Sequence, residues 1–394
     1  MNRNSDISLN SGLTPKSEQA YFAASNSYHG FISYFDSIFR RSDISHLYII
    51  KGGPGTGKSR FMRECAVDAE ALGYETEYYY CSSDQSSLDG IIIYGISKNG
   101  NDTENIAIID GTSPHSYDTK LPGIREDIIN LGEFWDRTVL EGYTAEIEPL
   151  IKAKSEAYKM AYDYLYASHS IRKITDRITQ ASVIVSAIES FVDELFQVFG
   201  EKSNQKSSRI IPTLIDSIGT LGAIRYDTFS QNAEKTVTVN DIFGCAYILL
   251  DMIFKRACRG GFNVRVSYDP IEPSKVGALY IENNEAVGSG QGSHDKTVSS
   301  LAIICDDGVS VEDDNDEADH ISMRRFIEMQ TLKQNSRLLK HLWKMRSSLI
   351  SCALTEFEKA GKAHFEIEGY YISAMDFGRK EQFSREFSKK LFGI

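Results

Sequence analysis

The chain lacks the features that mark several large protein classes. Its six cysteines, Cys65, Cys81, Cys245, Cys258, Cys305 and Cys352, include no CxxC pair and no metal-ligand spacing. That excludes a zinc ribbon or a disulfide scaffold and predicts reduced, packed thiols. Apolar runs such as Tyr247–Leu250 stop after a few residues, far short of the roughly 20 that a membrane helix needs. The opening MNRNSDISLN has no signal-peptide stretch, so a cytoplasmic chain with no membrane contact is expected. Basic excess is missing too. Lys and Arg number 43 against 55 Asp and Glu, a net charge of −12. That balance argues against a nucleic-acid or anionic-membrane coat but leaves room for a local basic stripe. Tryptophan is scarce: Trp135 and Trp343 each lie near the start of a helical segment and are expected to be packing anchors.

What is present is an ordinary globular composition, 41% hydrophobic and 25% charged over 394 residues, enough for two domains. Residues 1–20 are polar and expected to be loose. Phe31, Tyr34, Phe35, Ile38 and Phe39 keep helical spacing and predict a helix across residues 21–41. A short apolar strand at Leu47–Ile50 leads into GGPGTGKS. A helical pattern follows to about Leu72, closed by Gly73, and then β-type runs at Thr76–Tyr80, Ile91–Tyr94 and Asn105–Asp110. Strand, glycine loop, helix, strand is the α/β pattern of a parallel sheet.

Residues 144–200 differ. Ile147, Leu150, Ile151, Tyr158, Ala161 and Leu165 share one helical face. Ile171, Ile174, Ile178, Ala181, Val185, Ile188, Val192, Leu195 and Phe199 then keep a 3-4 spacing up to Gly200. The pattern predicts an antiparallel helical hairpin or coiled coil turning near Ser168–Ser170, a surface suited to a protein partner. EKSNQKSS at residues 201–208 reads as a linker. Beyond it a weak repeat begins. A shift of 188 residues carries Gly73-Tyr74 onto Gly261-Phe262 and Ile91–Ile93 onto Leu279–Ile281, and a slightly larger one aligns Ile106–Asp110 with Leu301–Cys305. Such self-similarity predicts a duplicated unit. The shift also places GGPGTGKS on Asn240–Tyr247, NDIFGCAY, which keeps one glycine and no lysine. The expected division is therefore residues 21–143, a nucleotide-binding α/β domain; 144–200, the helical hairpin; 209–320, a degenerate second α/β domain; and 321–394, a C-terminal helical segment.

Gly52-Gly53-Pro54-Gly55-Thr56-Gly57-Lys58-Ser59 fits the phosphate-loop pattern GxxxxGK[ST] in full. Glycines let backbone amides close around a phosphate, and the following helix adds its positive end. Lys58 would bridge the β- and γ-phosphates, and the Ser59 hydroxyl would ligate Mg²⁺. Arg60, next in sequence, belongs to the same candidate nucleotide-binding stretch. Asp110, at the end of a strand, is the candidate carboxylate for Mg²⁺. Gly111 follows it, so an adjacent glutamate to activate water is missing. Asp84, after the second strand, is the first candidate for that base, and Asp89 the next. His115 is a candidate contact to the γ-phosphate. Cys81 has no identifiable histidine partner and reads as a packed thiol.

Taken in order, KGGPGTGKS, YCSSDQSSLDG, AIIDGTSPH and DIINLGEFWD resemble a group of bacterial tandem P-loop ATP-binding proteins of unassigned function. The resemblance is strong over about residues 30–136, weaker over 245–281 and at YYISAMDF near the C-terminus. It implies two P-loop NTPase halves, each followed by helices, with Gly52–Ser59, Cys81–Asp84, Leu88-Asp89 and Asp110–His115 around the nucleotide. Members usually carry a second such loop; this chain departs from that at Asn240–Tyr247.

The expected function is Mg²⁺-dependent ATP binding and slow hydrolysis at one loop. A kinase using Asp84 as base toward an acceptor, or a non-catalytic nucleotide-sensing scaffold, are the alternatives. The acidic run Glu312–Asp319 lacks the glycine and terminal glutamate of a calcium loop and reads as solvated. Arg337, Lys340, His341 and Lys344 form one basic helix face that reads as the wet side of an amphipathic helix. No nucleic-acid-binding motif accompanies it.

Overall fold

The structure is a computed structural model that describes residues 19–98, 102–114, 116–200, 209–283, 298–306 and 319–393. The expected linker at 201–208, His115 and nearly all of the acidic run lie outside those residues.

The first half runs β1 (Ala20–Phe22), β2 (Ala24–Ser27), β3 (Gly30–Ser33), α1 (Phe35–Phe39), β4 (His46–Lys51), α2 (Lys58–Ala71), β5 (Glu75–Tyr80), β6 (Leu88–Lys98), β7 (Asp102–Asp110) and β8 (Glu126–Asn130). A single 3₁₀ turn, Leu131–Phe134, leads to α3 (Arg137–Gly142), α4 (Thr144–Gln180) and α5 (Val185–Phe199). The second half repeats that list without a separate counterpart of α3: β9 (Ile210–Pro212), β10 (Asp216–Gly219), β11 (Gly222–Arg225), α6 (Thr228–Asn232), β12 (Lys235–Asn240), α7 (Ala246–Gly260), β13 (Asn263–Tyr268), β14 (Val276–Glu282), β15 (Ser300–Asp306) and β16 (Asp319–Ser322). Another 3₁₀ turn, Met323–Phe326, then opens into α8 (Met329–Ser373) and α9 (Phe377–Phe392).

Each half holds a six-stranded sheet of one order, β1-β5-β6-β7-β4-β8 and β9-β13-β14-β15-β12-β16. The fold is α/β and duplicated, but the sheets are not wholly parallel. β6 and β14 run antiparallel to both neighbours, whereas β4 lies parallel between β7 and β8. The reason is loop length. Cys81–Ser87 is too short for a parallel crossover, which needs about a dozen residues, so the chain turns straight back.

The helix expected across residues 21–41 is replaced by β1, the β2–β3 hairpin and the five-residue α1. Phe35, Ile38 and Phe39 do occupy one buried helical face. The residues before them are claimed by β1 pairing with β5 and by the hairpin turn, where Gly30 adopts φ 95°.

The expected hairpin within residues 144–200 does not form. α4 continues past Ser168–Ser170 to Gln180 and pairs antiparallel with α8. Tyr143 meets Tyr370, Lys154 meets His364, and Tyr158 and Tyr162 flank Phe357. Small residues, Ala157, Ala161, Ala353 and Ala360, let the helices approach closely. The apparent seam is broken at Ala181–Ile184; Ile174 and Val185 are exposed, whereas Ile188, Val192, Phe196 and Phe199 enter the second half's core beside α7. Reciprocally, Phe383 and Phe387 of α9 pack on Phe61 and Tyr48 of the first half. Each half thus receives its last helix from the other.

A shift of 192 residues carries Trp135 onto Ile327 and Val183 onto Met375, and these pair across as Trp135–Met375 and Val183–Ile327. The same shift carries Phe22 onto Leu214, and these two exchange backbone hydrogen bonds with each other. A pseudo-two-fold axis therefore passes between them. Close by, Glu77 of β5 and Arg265 of β13, corresponding positions of the two halves, form a buried ion pair at 2.5 Å. Tyr79 Oη donates to the same carboxylate at 2.7 Å. Arg265 holds the Glu77 carboxyl below its usual range despite the burial that opposes this. Breaking the pair by Arg265→Met is expected to cost about 3–5 kcal/mol in urea unfolding, because a carboxylate is left buried; adding Glu77→Leu should recover most of that loss.

Candidate functional site

β4 ends at Lys51, and the chain turns through Gly52–Gly57 into α2. Gly52, Gly55 and Gly57 have φ of 151°, 70° and 78°, conformations that glycine tolerates and other residues rarely adopt. The turn leaves α2 starting at Lys58 with Gly57 as its N-cap. The Lys58 ammonium folds into the loop, donating to the carbonyls of Gly52 at 3.0 Å and Gly53 at 2.8 Å. It lies 3.5 Å from the Asp110 carboxylate. That meeting follows from register: β4 and β7 are parallel with Ile50 opposite Asp110, so both chains end at the same sheet edge. Asp110 also accepts from Thr112 N at 2.8 Å and Thr112 Oγ1 at 2.6 Å. Burial raises its pKa, against the opposing pull of Lys58. The Ser59 hydroxyl accepts from Leu88 N at 3.0 Å, which fixes the start of β6 against the loop.

Asp84 lies at the same edge, but its carboxylate accepts from Ser86 N at 3.2 Å and Ser86 Oγ at 2.7 Å, as a turn-forming aspartate does. Asp89 is buried, and its charge contributes to the raised pKa of Asp110. Burial pushes the Cys81 thiol well up, an inert packed sulfur rather than a nucleophile. The Arg60 guanidinium turns away from the loop, to Glu64 at 2.8 Å and Glu381 at 3.0 Å.

Apart from Trp135, the wall residues missed by sequence reasoning come from the other repeat. α8 lies directly on the loop, so that a Cβ on Gly55 would sit 2.9 Å from the Glu368 carbonyl. The Glu368 side chain accepts from Gly55 N at 3.2 Å, and burial raises its pKa. Trp135 and Tyr371 flank Gly53, and the Trp135 indole N–H is buried with no hydrogen-bond partner among the described residues. The buried Lys380 of α9 lies beside Gly57 and pairs with Glu64 at 3.2 Å. The YYISAMDF segment, Tyr370–Phe377, was the one sequence signal for this wall.

The corresponding place in the second half is filled by the protein itself. The Asp241 carboxylate accepts from Cys245 N at 2.8 Å and Ala246 N at 2.9 Å, so a side chain built into the loop occupies the α7 N-terminus; burial raises its pKa against the pull of those amides and Arg172. Arg172 of α4 donates to the Gly244 carbonyl and to Asp176 at 2.9 Å, and Lys275 reaches Asp176 at 2.5 Å. Ala246 stands where the first half has Lys58, and Cys305 where it has Asp110.

No group of three or more His, Cys, Asp or Glu side chains poised to hold a metal exists among the described residues. No helix of those residues is long and apolar enough to cross a membrane. His364 lies at the loop wall 3.4 Å from Lys154. Burial first, then the Lys154 charge, lowers its pKa from 6.5 to about 4. The unfolded chain therefore protonates His364 before the folded one does, and stability falls as pH drops from 6.5 towards 4. His364→Gln should remove roughly 2–3 kcal/mol of that acid loss, read as the difference between urea unfolding curves across the window. Comparison with protein families, curated proteins and solved structures finds no match for this chain.

Proposed function

We propose that the first half binds ATP with Mg²⁺ at Gly52–Ser59, in the manner of a P-loop NTPase, and hydrolyses it slowly. The observation that carries this reading is the convergence of Lys58, Ser59 and Asp110 at one sheet edge around a glycine loop that opens a helix. Loop amides and the α2 N-terminus suit phosphate oxygens, and the N–H of the Trp135 ring beside Gly53, without a partner among the described residues, suits a further acceptor. Lys58 would exchange its two carbonyl partners for phosphate oxygens. Ser59 Oγ and Asp110 Oδ2 are the oxygens suited to Mg²⁺, which neutralises phosphate charge when bound. The carboxylate of Glu368 holds an amide that phosphate would need, so it must yield on binding, and α8 would feel that step. Asp84 and Lys58 both stand near Glu368, and Asp84 remains the candidate to orient water.

One nucleotide per chain is expected in a binding titration, because Asp241 already fills the second loop. Lys58→Ala should abolish phosphate release and weaken ATP binding at least tenfold. Glu368→Gln should tighten ATP binding about five- to tenfold, by removing a competing charge worth about 1 kcal/mol. Phosphate release that required an added acceptor hydroxyl would replace this reading with a kinase. Absence of ATP binding by the wild-type chain would end it.

A further inference from the structure

α8 touches the candidate nucleotide loop only near its C-terminal end. Its N-terminal half has a different character. From Met329 to Thr355 the sequence has no acidic residue, in a chain of net charge −12. Over this stretch Leu332, Leu342 and Ala353 are buried, while Leu338, Trp343 and Met345 are more than two-fifths exposed. Lys340, His341, Lys344 and Ser347 line a surface groove beside the Trp343 ring. Further along the same helix, Lys359 and Lys362 are neutralised by Glu356 and Glu358. Arg337, Lys340 and Lys344 form no such pair among the described residues.

The fold does not require this. The shift that relates the halves carries Lys333 onto Glu141, Lys340 onto Glu148 and Ser348 onto Glu156, while Lys344 falls on Lys152. The equivalent stretch of the first half, the end of α3 and the start of α4, carries acidic side chains at those places. The basic face is therefore a divergence of the second half, as the filled loop is.

We propose that this face of α8, from Lys333 to Ser348, binds single-stranded nucleic acid. Lysines one helical turn apart, about 6 Å along the axis, offer successive cations to a phosphate backbone. The exposed indole between them offers a stacking surface to a base, and only an unpaired strand has a base face free to use it. The acidic remainder of the molecule repels the strand from other surfaces and confines it to this helix.

The test is fluorescence anisotropy of a labelled oligothymidine with the full-length chain, at about 50 mM and about 200 mM salt. Binding is expected at micromolar protein and should weaken steeply with salt. Lys340→Glu with Lys344→Glu should weaken it at least about 30-fold and reduce the salt slope by roughly 1–2. Trp343→Ala should weaken it about tenfold while leaving the slope unchanged. Lys152→Glu, on the matching stretch of α4, should have no effect, and all these exposed variants should melt like the wild type. The proposal is overturned if the oligonucleotide does not bind, or if binding survives the double charge reversal. It is overturned equally if a duplex binds as tightly, or if a polyglutamate peptide matches the oligonucleotide with the same need for Lys340 and Lys344; the latter would make this a surface for an acidic protein.

Discussion

The antiparallel pairing of α4 with α8 is the constraint on which the rest of the molecule depends. Each of these helices leaves its own half, crosses the other, and delivers a further helix to the opposite sheet. α5 closes the apolar bed over α7, and α9 closes the bed over α2. The hairpins are exchanged in the same sense. Ser217 of β10 donates to the Ser82 carbonyl, and Ser25 of β2 donates to that of Pro270. Neither core is complete without residues from both repeats, so hydrophobic burial, the main favourable term in folding, couples the halves into one cooperative body.

That exchange also decides what surrounds the candidate site. The floor of the loop is local, set by the β4–loop–α2 sequence and by the register that brings Asp110 to Lys58. The walls are foreign: Glu368, Tyr371 and Ile372 from α8, and Lys380 from α9. The two loops then differ in where their negative charge comes from. Asp241 provides the second loop with a carboxyl of its own, whereas the first loop draws on Glu368 through one 3.2 Å contact from a separate helix. A contact of that kind can be surrendered; a carboxylate built into the loop cannot.

Much of this was legible in the sequence because it is local. The phosphate-loop pattern, the bounds of α2, the strands at β4, β5 and β7 and the duplication all follow from short-range spacing. Lys58, Ser59 and Asp110 could be placed together because strand ends in an α/β sheet share an edge. What was not legible is long-range. The 3-4 spacing from Ile171 to Phe199 is real, but it serves two helices with different partners, and spacing alone cannot name a partner. Trp343 reads as an anchor by residue type, yet its side chain is more than two-fifths exposed. Glu368 carries no local signature at all, since its role comes from a helix pairing that no pattern near it encodes. The antiparallel β6 was foreseeable from the shortness of Cys81–Ser87, which the α/β pattern overrode.

The reciprocal placement of α5 and α9 has an evolutionary reading. Two identical chains, each about as long as one repeat, would have to trade their last helices to bury them, and would therefore exist as a symmetric homodimer. Joining such a pair end to end would yield the present topology, and the dimer axis would then fall between Phe22 and Leu214. Fusion releases the subunits from sharing one sequence. One copy can then keep the glycine loop and its lysine while the other fills the same place with Asp241 and Arg172, a specialisation that a true homodimer is forbidden.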